Sequence, residues 1–250
     1  MTDRVAVLTG GTMFDELLGE TLTPARVDYT AARPQWEAWF DAHPAPTNGA
    51  LDARLADAGT RVGFVPVCRA RGYFHLPTAE FVAALAGALR RLPGPYLEVG
   101  AGQGALARAV RAVGVPLIAA DDGAWWPDAL PPDVARMDVQ TALTHHAPGT
   151  ALVVWPPRNT HWPALFRATG SVCAYLIIGE GAGGMTGDDA AWAEAAGWSR
   201  TWLPDLAALG RCRLDADGTH HTRVLLVRRN INAFTAEAQR TQREDKESCL

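Results

Sequence analysis

The chain has 250 residues, near the upper limit for one hydrophobic core, so one domain carrying an appendage is expected. Hydrophobic residues make up 48% and charged residues 20%, as in globular proteins, and a net charge of −4 with scattered arginines argues against a nucleic-acid partner. The four cysteines form no C-x-x-C pair, no basic and apolar leader is read at the N-terminus, and no apolar run approaches bilayer length; zinc ribbon, disulfide framework and membrane span are disfavoured, and a cytoplasmic protein is expected.

Residues 1–76 are rich in proline (Pro34, Pro44, Pro46, Pro66), with short candidate helices around Phe14–Leu18, Gln35–Phe40 and Leu51–Ala58. They are expected to form a partly helical lid that shapes a substrate pocket. "LTGGT" (Leu8–Thr12) has the look of a phosphate loop, but no Lys-Ser/Thr pair follows, so it reads as a turn. From Pro77 the signals sharpen. "PTAEFVAALAGALRRL" predicts a helix with Thr78 as N-cap, Glu80 in the first turn, Arg90 and Arg91 in the last, and Phe81, Leu85, Leu89 and Leu92 on one face. "PGP" stops it, and "YLEV" begins a strand. Helix "GALARAVRAVG", strand "VPLIAAD", short strand "VARMD", strand "ALVVW", helix "THWPALFRA", strand "VCAYLIIGE" and helix "DDAAWAEAAG", with Asp188 or Asp189 near its N-cap, then alternate. Continuous apolar strands separated by helices predict a doubly wound, mostly parallel α/β sheet covered on both faces. In "RCRLDADGTHHTRVLLVRR" the Asp217–Gly218 pair lies between two strand-like runs and predicts an antiparallel C-terminal hairpin. Residues 231–250 predict a polar, mobile tail or a frayed helix.

"YLEVGAGQGALARAV" (residues 96–110) is the most informative stretch: a strand, then Gly100, Gly102 and Gly104, then a helix. In a doubly wound sheet such a loop lies at the ligand crevice, and glycine lets the backbone turn tightly and approach a ligand closely. Gly100, Gly102 and Ala105 also satisfy a dinucleotide pattern, with Asp121 at a suitable distance onward. Glu98 separates the two readings. An acid two residues before the first glycine repels a pyrophosphate, whereas S-adenosylmethionine (SAM) brings an ammonium that a carboxylate can bind through a charge-assisted hydrogen bond. Asp121, at the end of the second strand, can accept hydrogen bonds from both ribose hydroxyls.

With "LEVGAGQG" (Leu97–Gly104), "AADD" (Ala119–Asp122), "MDV" (Met137–Val139), "VVWPP" (Val153–Pro157) and the closing hairpin, residues 77–230 resemble the class I SAM-dependent methyltransferases. The resemblance implies a seven-stranded Rossmann-like sheet whose last strand is antiparallel. It also implies that the glycine loop cradles the methionine part of SAM, that Asp121 with Asp122 beside it meets the ribose, and that Asp138, next to Val139, meets the adenine amino group. The "WPP … IGEGAGG" combination looks like a little-characterised branch with a WPP segment after the fourth strand.

Trp125 or Trp126 is expected on adenine, Trp125 preferred; the competing reading is a ring sealing the sheet edge. "WPPRN" (Trp155–Asn159) resembles the (D/N/S)-P-P-(Y/F) motif of amino-group methyltransferases, but Trp155 replaces its polar residue and Arg158 its aromatic. Trp155 is therefore expected as a rigid wall against cofactor and substrate, and Arg158 as a ligand for an acidic substrate. Glu180, at the end of "YLIIGE", is a candidate base or substrate ligand, or else a cap for the loop beside it. Among the histidines, His75 (with Tyr73 toward the substrate) and His161 are candidate catalytic bases, against a structural role for each. The doublet His145–His146 with Asp138 lacks a third ligand at metal spacing, so no metal is expected.

The expected activity is methyl transfer from SAM to an O or N nucleophile of a small molecule, with no nucleic-acid or membrane partner and a homodimer left open. Three alternatives stand beside it: a non-methylating SAM-binding or scaffold subunit, a nucleic-acid methyltransferase, and an NAD-dependent oxidoreductase.

Overall fold

The computed structural model describes residues 29–57, 61, 63–126, 129–184 and 186–230. The predicted helix at Phe14–Leu18, the "LTGGT" turn and the polar tail lie outside them. No helix among the described residues is long and apolar enough to cross a membrane.

Helices α1 (Tyr29–Ala42), α2 (Asn48–Ala56) and α3 (Phe64–Ala70) precede the sheet. Their aromatic and aliphatic faces close on one another: Trp36, Phe40, Leu51, Phe64, Val67 and Cys68 form a buried cluster that Leu76 completes. Each such burial contributes about 1.5–3 kcal/mol. This layer is tied to the rest of the molecule by Asn48, whose backbone amide donates to Glu80 Oε2 (2.9 Å) and whose side-chain amide donates to the Leu209 carbonyl (3.0 Å).

The remaining elements run β1 (His75–Leu76), α4 (Ala79–Leu89), β2 (Tyr96–Val99), α5 (Ala105–Ala112), β3 (Leu117–Asp121), β4 (Val134–Arg136), α6 (Val139–His146), β5 (Thr150–Val154), α7 (Trp162–Ala168), β6 (Ala174–Gly179), α8 (Asp189–Trp192), β7 (Trp198–Trp202), α9 (Pro204–Leu209), β8 (Arg211–Cys212), a 3-10 helix (Arg213–Asp217) and β9 (Arg223–Arg229). A seven-stranded sheet has the order β4-β3-β2-β5-β6-β9-β7. Strands β4 to β6 are parallel, and β9 runs antiparallel between β6 and β7. This is the mostly parallel doubly wound sheet with an antiparallel last strand that the resemblance implies.

Side chains alternate faces along each strand. On β6, Leu176 and Ile178 join one core with Leu85, Leu106 and Leu206 from α4, α5 and α9, while Tyr175 and Ile177 join the opposite core with Leu143, Phe166 and Trp192 from α6, α7 and α8. Thr78 is the N-cap of α4 as predicted, but its hydroxyl makes no cap bond and faces the Leu209 carbonyl at 3.5 Å.

The predicted hairpin of residues 211–229 is corrected. β8 pairs with β1, not with β9, and β9 pairs with β6 and β7. The Asp217–Gly218 pair ends a 3-10 helix: Asp215 accepts from the Cys212 amide at its start, and Gly218 closes it at φ 87. A D-G pair supplies a positive φ, which a helix C-cap uses as readily as a hairpin turn. The helix predicted over "DDAAWAEAAG" shortens to Asp189–Trp192, with Asp188 Oδ1 accepting from Ala191 N at 2.7 Å.

Candidate cofactor site

The site is built at the C-terminal ends of β2, β3 and β5, where the sheet order reverses direction around β2, the position at which doubly wound sheets bind ligands. The loop after β2 carries glycines at φ 64, 55 and 70 (Gly100, Gly102, Gly104). The loop amide of Ala101 donates to the Ala120 carbonyl at 3.0 Å. Asp121 then fastens the turn: its Oδ2 accepts from Gly102 N and its Oδ1 from Gly123 N, both at 2.8 Å. Glycine is required here for space as well as for torsion. A Cβ on Gly100 would lie 2.6 Å from the Trp162 ring, and one on Gly102 would lie 2.9 Å from the Trp126 ring.

Glu98 occupies the middle of β2 and is 3% exposed. Its Oε2 is buried and has no hydrogen-bond partner among the described residues. Burial pushes its carboxyl up to about 8, against the opposing pull of Arg111, with Asp121 adding to the rise and a hydrogen bond from the Ala107 amide lowering it. A buried carboxylate with an unmatched oxygen is costly. A cationic group entering beside the loop would satisfy that oxygen and favour the ionised form.

Beside this pair stands the segment after β5. Trp155 is 7% exposed and has a left-handed backbone (φ 54), and its amide continues the sheet by donating to the Ile178 carbonyl at 2.7 Å. Non-glycine residues held in this region store about 1–3 kcal/mol and gather at functional sites. The Trp155 Nε1–H donates to His75 Nδ1 at 3.4 Å, and the Phe74 ring lies 4.7 Å from the indole. Because indole only donates, His75 is the acceptor and carries its own hydrogen on Nε2. That nitrogen is buried without a partner among the described residues. Burial first, and then His220, drives the imidazole down to about 3. Burial and the bond from Trp155 keep His75 a neutral ring, which weighs against the role of base expected of it.

The other expected residues have the following surroundings. Trp125 is 75% exposed, and the ring that reaches the glycine loop is that of Trp126, wedged between Gly72 and Gly102. Asp122 is exposed and caps the Ala124 amide. Asp138 caps α6, holding the amide and hydroxyl of Thr141 (2.9 and 2.7 Å), and these bonds, the hydroxyl's foremost, lower its pKa. Val139 is half-buried at the first position of that helix. Glu180 folds against its own glycine loop, where its amide donates to Thr186 Oγ1 at 2.9 Å. His161 is exposed and paired with Asp188, and Arg158 is exposed in the loop after Pro157. Tyr73 packs edge-on against Phe40 in the N-terminal cluster. Sequence reasoning missed Trp162. It begins α7 next to Pro163 and reads as one more apolar residue of a helix start, and only the loop's approach reveals its place.

No family model and no curated protein matches the chain. Among solved structures it is similar to human N-acetylserotonin methyltransferase in complex with SAM (10% identity, TM-score 0.39, 76% of this chain and 62% of that one). It is also similar to an O-methyltransferase family protein from Burkholderia thailandensis (12%, 0.35, 80% and 71%) and to the mitomycin 7-O-methyltransferase MmcR (14%, 0.32, 85% and 75%). The chain thus spans 62% of the length of the first of these. The strand order β4-β3-β2-β5-β6-β9-β7 and the positive-φ glycine loop after β2 agree with the sheet and loop that the resemblance of the sequence implies.

Proposed function

We propose that the chain binds SAM in the crevice at the ends of β2, β3 and β5 and transfers its methyl group to an O or N nucleophile of a small molecule. The observation that carries this reading is Glu98, a buried carboxyl with an unpartnered oxygen immediately before the glycine loop. It suits an ammonium and disfavours a pyrophosphate. Bound SAM supplies a methyl group activated by a sulfonium leaving group. The chain's residues do the rest. Glu98 holds the positive end, and Asp121, already fixing Gly102, offers its carboxylate to hydroxyl groups. The indoles of Trp126, Trp155 and Trp162 form apolar walls that exclude water. Catalysis then comes mainly from holding two reactants aligned.

Calorimetric titration with SAM, S-adenosylhomocysteine and NADH tests this reading. Affinity in the micromolar range, about −8 kcal/mol, is expected for the two adenosyl ligands alone and weakened in Glu98→Ala. NADH binding instead, or no binding by the folded chain, would sink the proposal. Release of S-adenosylhomocysteine with a small-molecule acceptor separates turnover from binding.

A further inference from the structure

Away from the glycine loop, a second group of side chains has donor atoms of three kinds in one place. Cys212 ends β8, Asp215 lies in the 3-10 helix, and His221 follows the turn closed by Gly218. Their ligand atoms all lie within 4.8 Å of one another. Cys212 Sγ is 3.3 Å and His221 Nδ1 2.9 Å from the same Asp215 oxygen, Oδ1, which also faces the His221 amide at 3.2 Å. Three groups therefore compete for one carboxylate oxygen with two lone pairs. Asp215 is 6% exposed and Cys212 fully buried, while His221 is half-buried.

We propose that Cys212, Asp215 and His221 bind a zinc ion. A thiolate, a carboxylate and an imidazole are the donor types of zinc sites and suit neither magnesium nor calcium. Zinc bonds of about 2.0–2.3 Å in a tetrahedron space their ligands roughly 3.4–3.6 Å apart. The separations of 3.3 and 2.9 Å at Asp215 reach this by opening a few tenths of an ångström, and all three ligand atoms already lie within 4.8 Å of one another. The two anionic ligands balance the charge of the ion. On binding, the Cys212 S–H bond breaks, its proton leaves to solvent and a zinc–sulfur bond forms. Without metal, burial and then Asp215 push this thiol up, so it stays protonated. A cavity of about 390 Å³ borders Asp215, with Asp52, Thr219 and His220 also in its lining.

The position gives the ion a structural task. Cys212 pairs with His75 across β1 and β8, Arg213 N donates to the Phe74 carbonyl at 2.9 Å, and Arg211 grips Asp52 of α2 at 3.2 and 3.1 Å. Zinc would lock the segment that joins the N-terminal helices to the sheet.

The test is cobalt titration of the metal-stripped full-length chain, followed by its near-ultraviolet thiolate-to-cobalt band, with melting temperature read with and without zinc. Wild type is expected to show a stoichiometric band and a zinc-dependent rise in melting temperature. Cys212→Ser and His221→Ala should lose the band, while Cys173→Ser, at an exposed thiol, keeps it. Outer-sphere losses already cost metal sites about tenfold or more in affinity, so loss of a ligand should cost at least that. If Cys212→Ser does not fold, His221→Ala decides alone. No band in wild type, or a band that survives in the folded variants, overturns the site and shows Asp215 to be a hydrogen-bonded cap only.

Discussion

The amide of Gly102 donates to Oδ2 of Asp121 at 2.8 Å, so the acid ending β3 holds the loop ending β2. Its other oxygen holds Gly123 at the same distance. One carboxylate thus fixes both loops that would flank a ligand, before any ligand arrives. Replacing it should affect folding and binding together. Asp121→Ala is expected to lose about 1–3 kcal/mol in urea unfolding, since two buried amides lose their acceptor. Adenosyl-ligand affinity should fall at least about tenfold by calorimetry. Unchanged unfolding would show that the loop does not depend on this acid.

Glu98 couples the site to pH. Its folded value of about 8 lies above the ordinary 4.5, so the folded chain keeps a proton that the unfolded chain releases. The stability this contributes is complete below the unfolded value and is lost as pH rises through the folded one. Between about pH 5 and 8 the slope is at most about 1.4 kcal/mol per pH unit. Glu98→Gln should flatten the profile of stability against pH. For SAM the sign is the opposite: its ammonium needs the ionised carboxyl, so affinity should strengthen with rising pH up to about 8 and each binding event should release a proton. Titrations in buffers of different ionisation enthalpy count that proton.

Trp162 and Gly100 form a testable pair. Alanine at Gly100 meets the indole at 2.6 Å and must adopt φ 64. Gly100→Ala is expected to cost about 2–4 kcal/mol from backbone strain together with the clash. Trp162→Ala removes the clash but leaves the strain. The double variant should therefore be less destabilised than the sum of the singles, by about 0.5 kcal/mol or more. Simple additivity in denaturant unfolding would separate the two residues.

For His75 the window lies on the acid side. Its value of about 3 is below the ordinary 6.5, so its contribution is present above the unfolded value and fades as pH falls toward the folded one. His75→Leu should cost about 1–3 kcal/mol near neutrality, where Trp155 loses its acceptor. The gap to wild type should narrow as the solution is acidified below about pH 6. Parallel stability curves would assign the acid sensitivity to another group.

The glycine loop after β2 and the acid ending β3 were legible in place because a short strand, alternate glycines and a helix start form a local pattern, although that pattern by itself fits more than one cofactor. The parallel core strands were legible too: β5 after Thr150 and β6 are continuous apolar runs covered on both faces. What failed depended on partners distant in sequence. "RCRLDADG" reads as half a hairpin until β1 is known to lie beside β8, and "WSRTW" shows no strand signal comparable to β6, although it pairs along its whole length with β9. His75 is polar and precedes a helix, which suggests reactivity. Its burial comes from Phe81 and from Trp155, and no short window places the latter beside it. Between Trp125 and Trp126 the choice turns on one residue of loop geometry.

The placement of β9 bears on how the chain is made. Its residues, Arg223–Arg229, fill the gap between β6 and β7, both of which leave the ribosome earlier. Until they emerge, β6 presents an open edge and β7 has no neighbour within the sheet, a state of the kind that pairs with foreign strands. The parallel strands around Glu98 and Asp121 can assemble during synthesis, but closure of the sheet waits for the last described strand. That edge of the sheet is therefore completed by the strand that comes latest among those described.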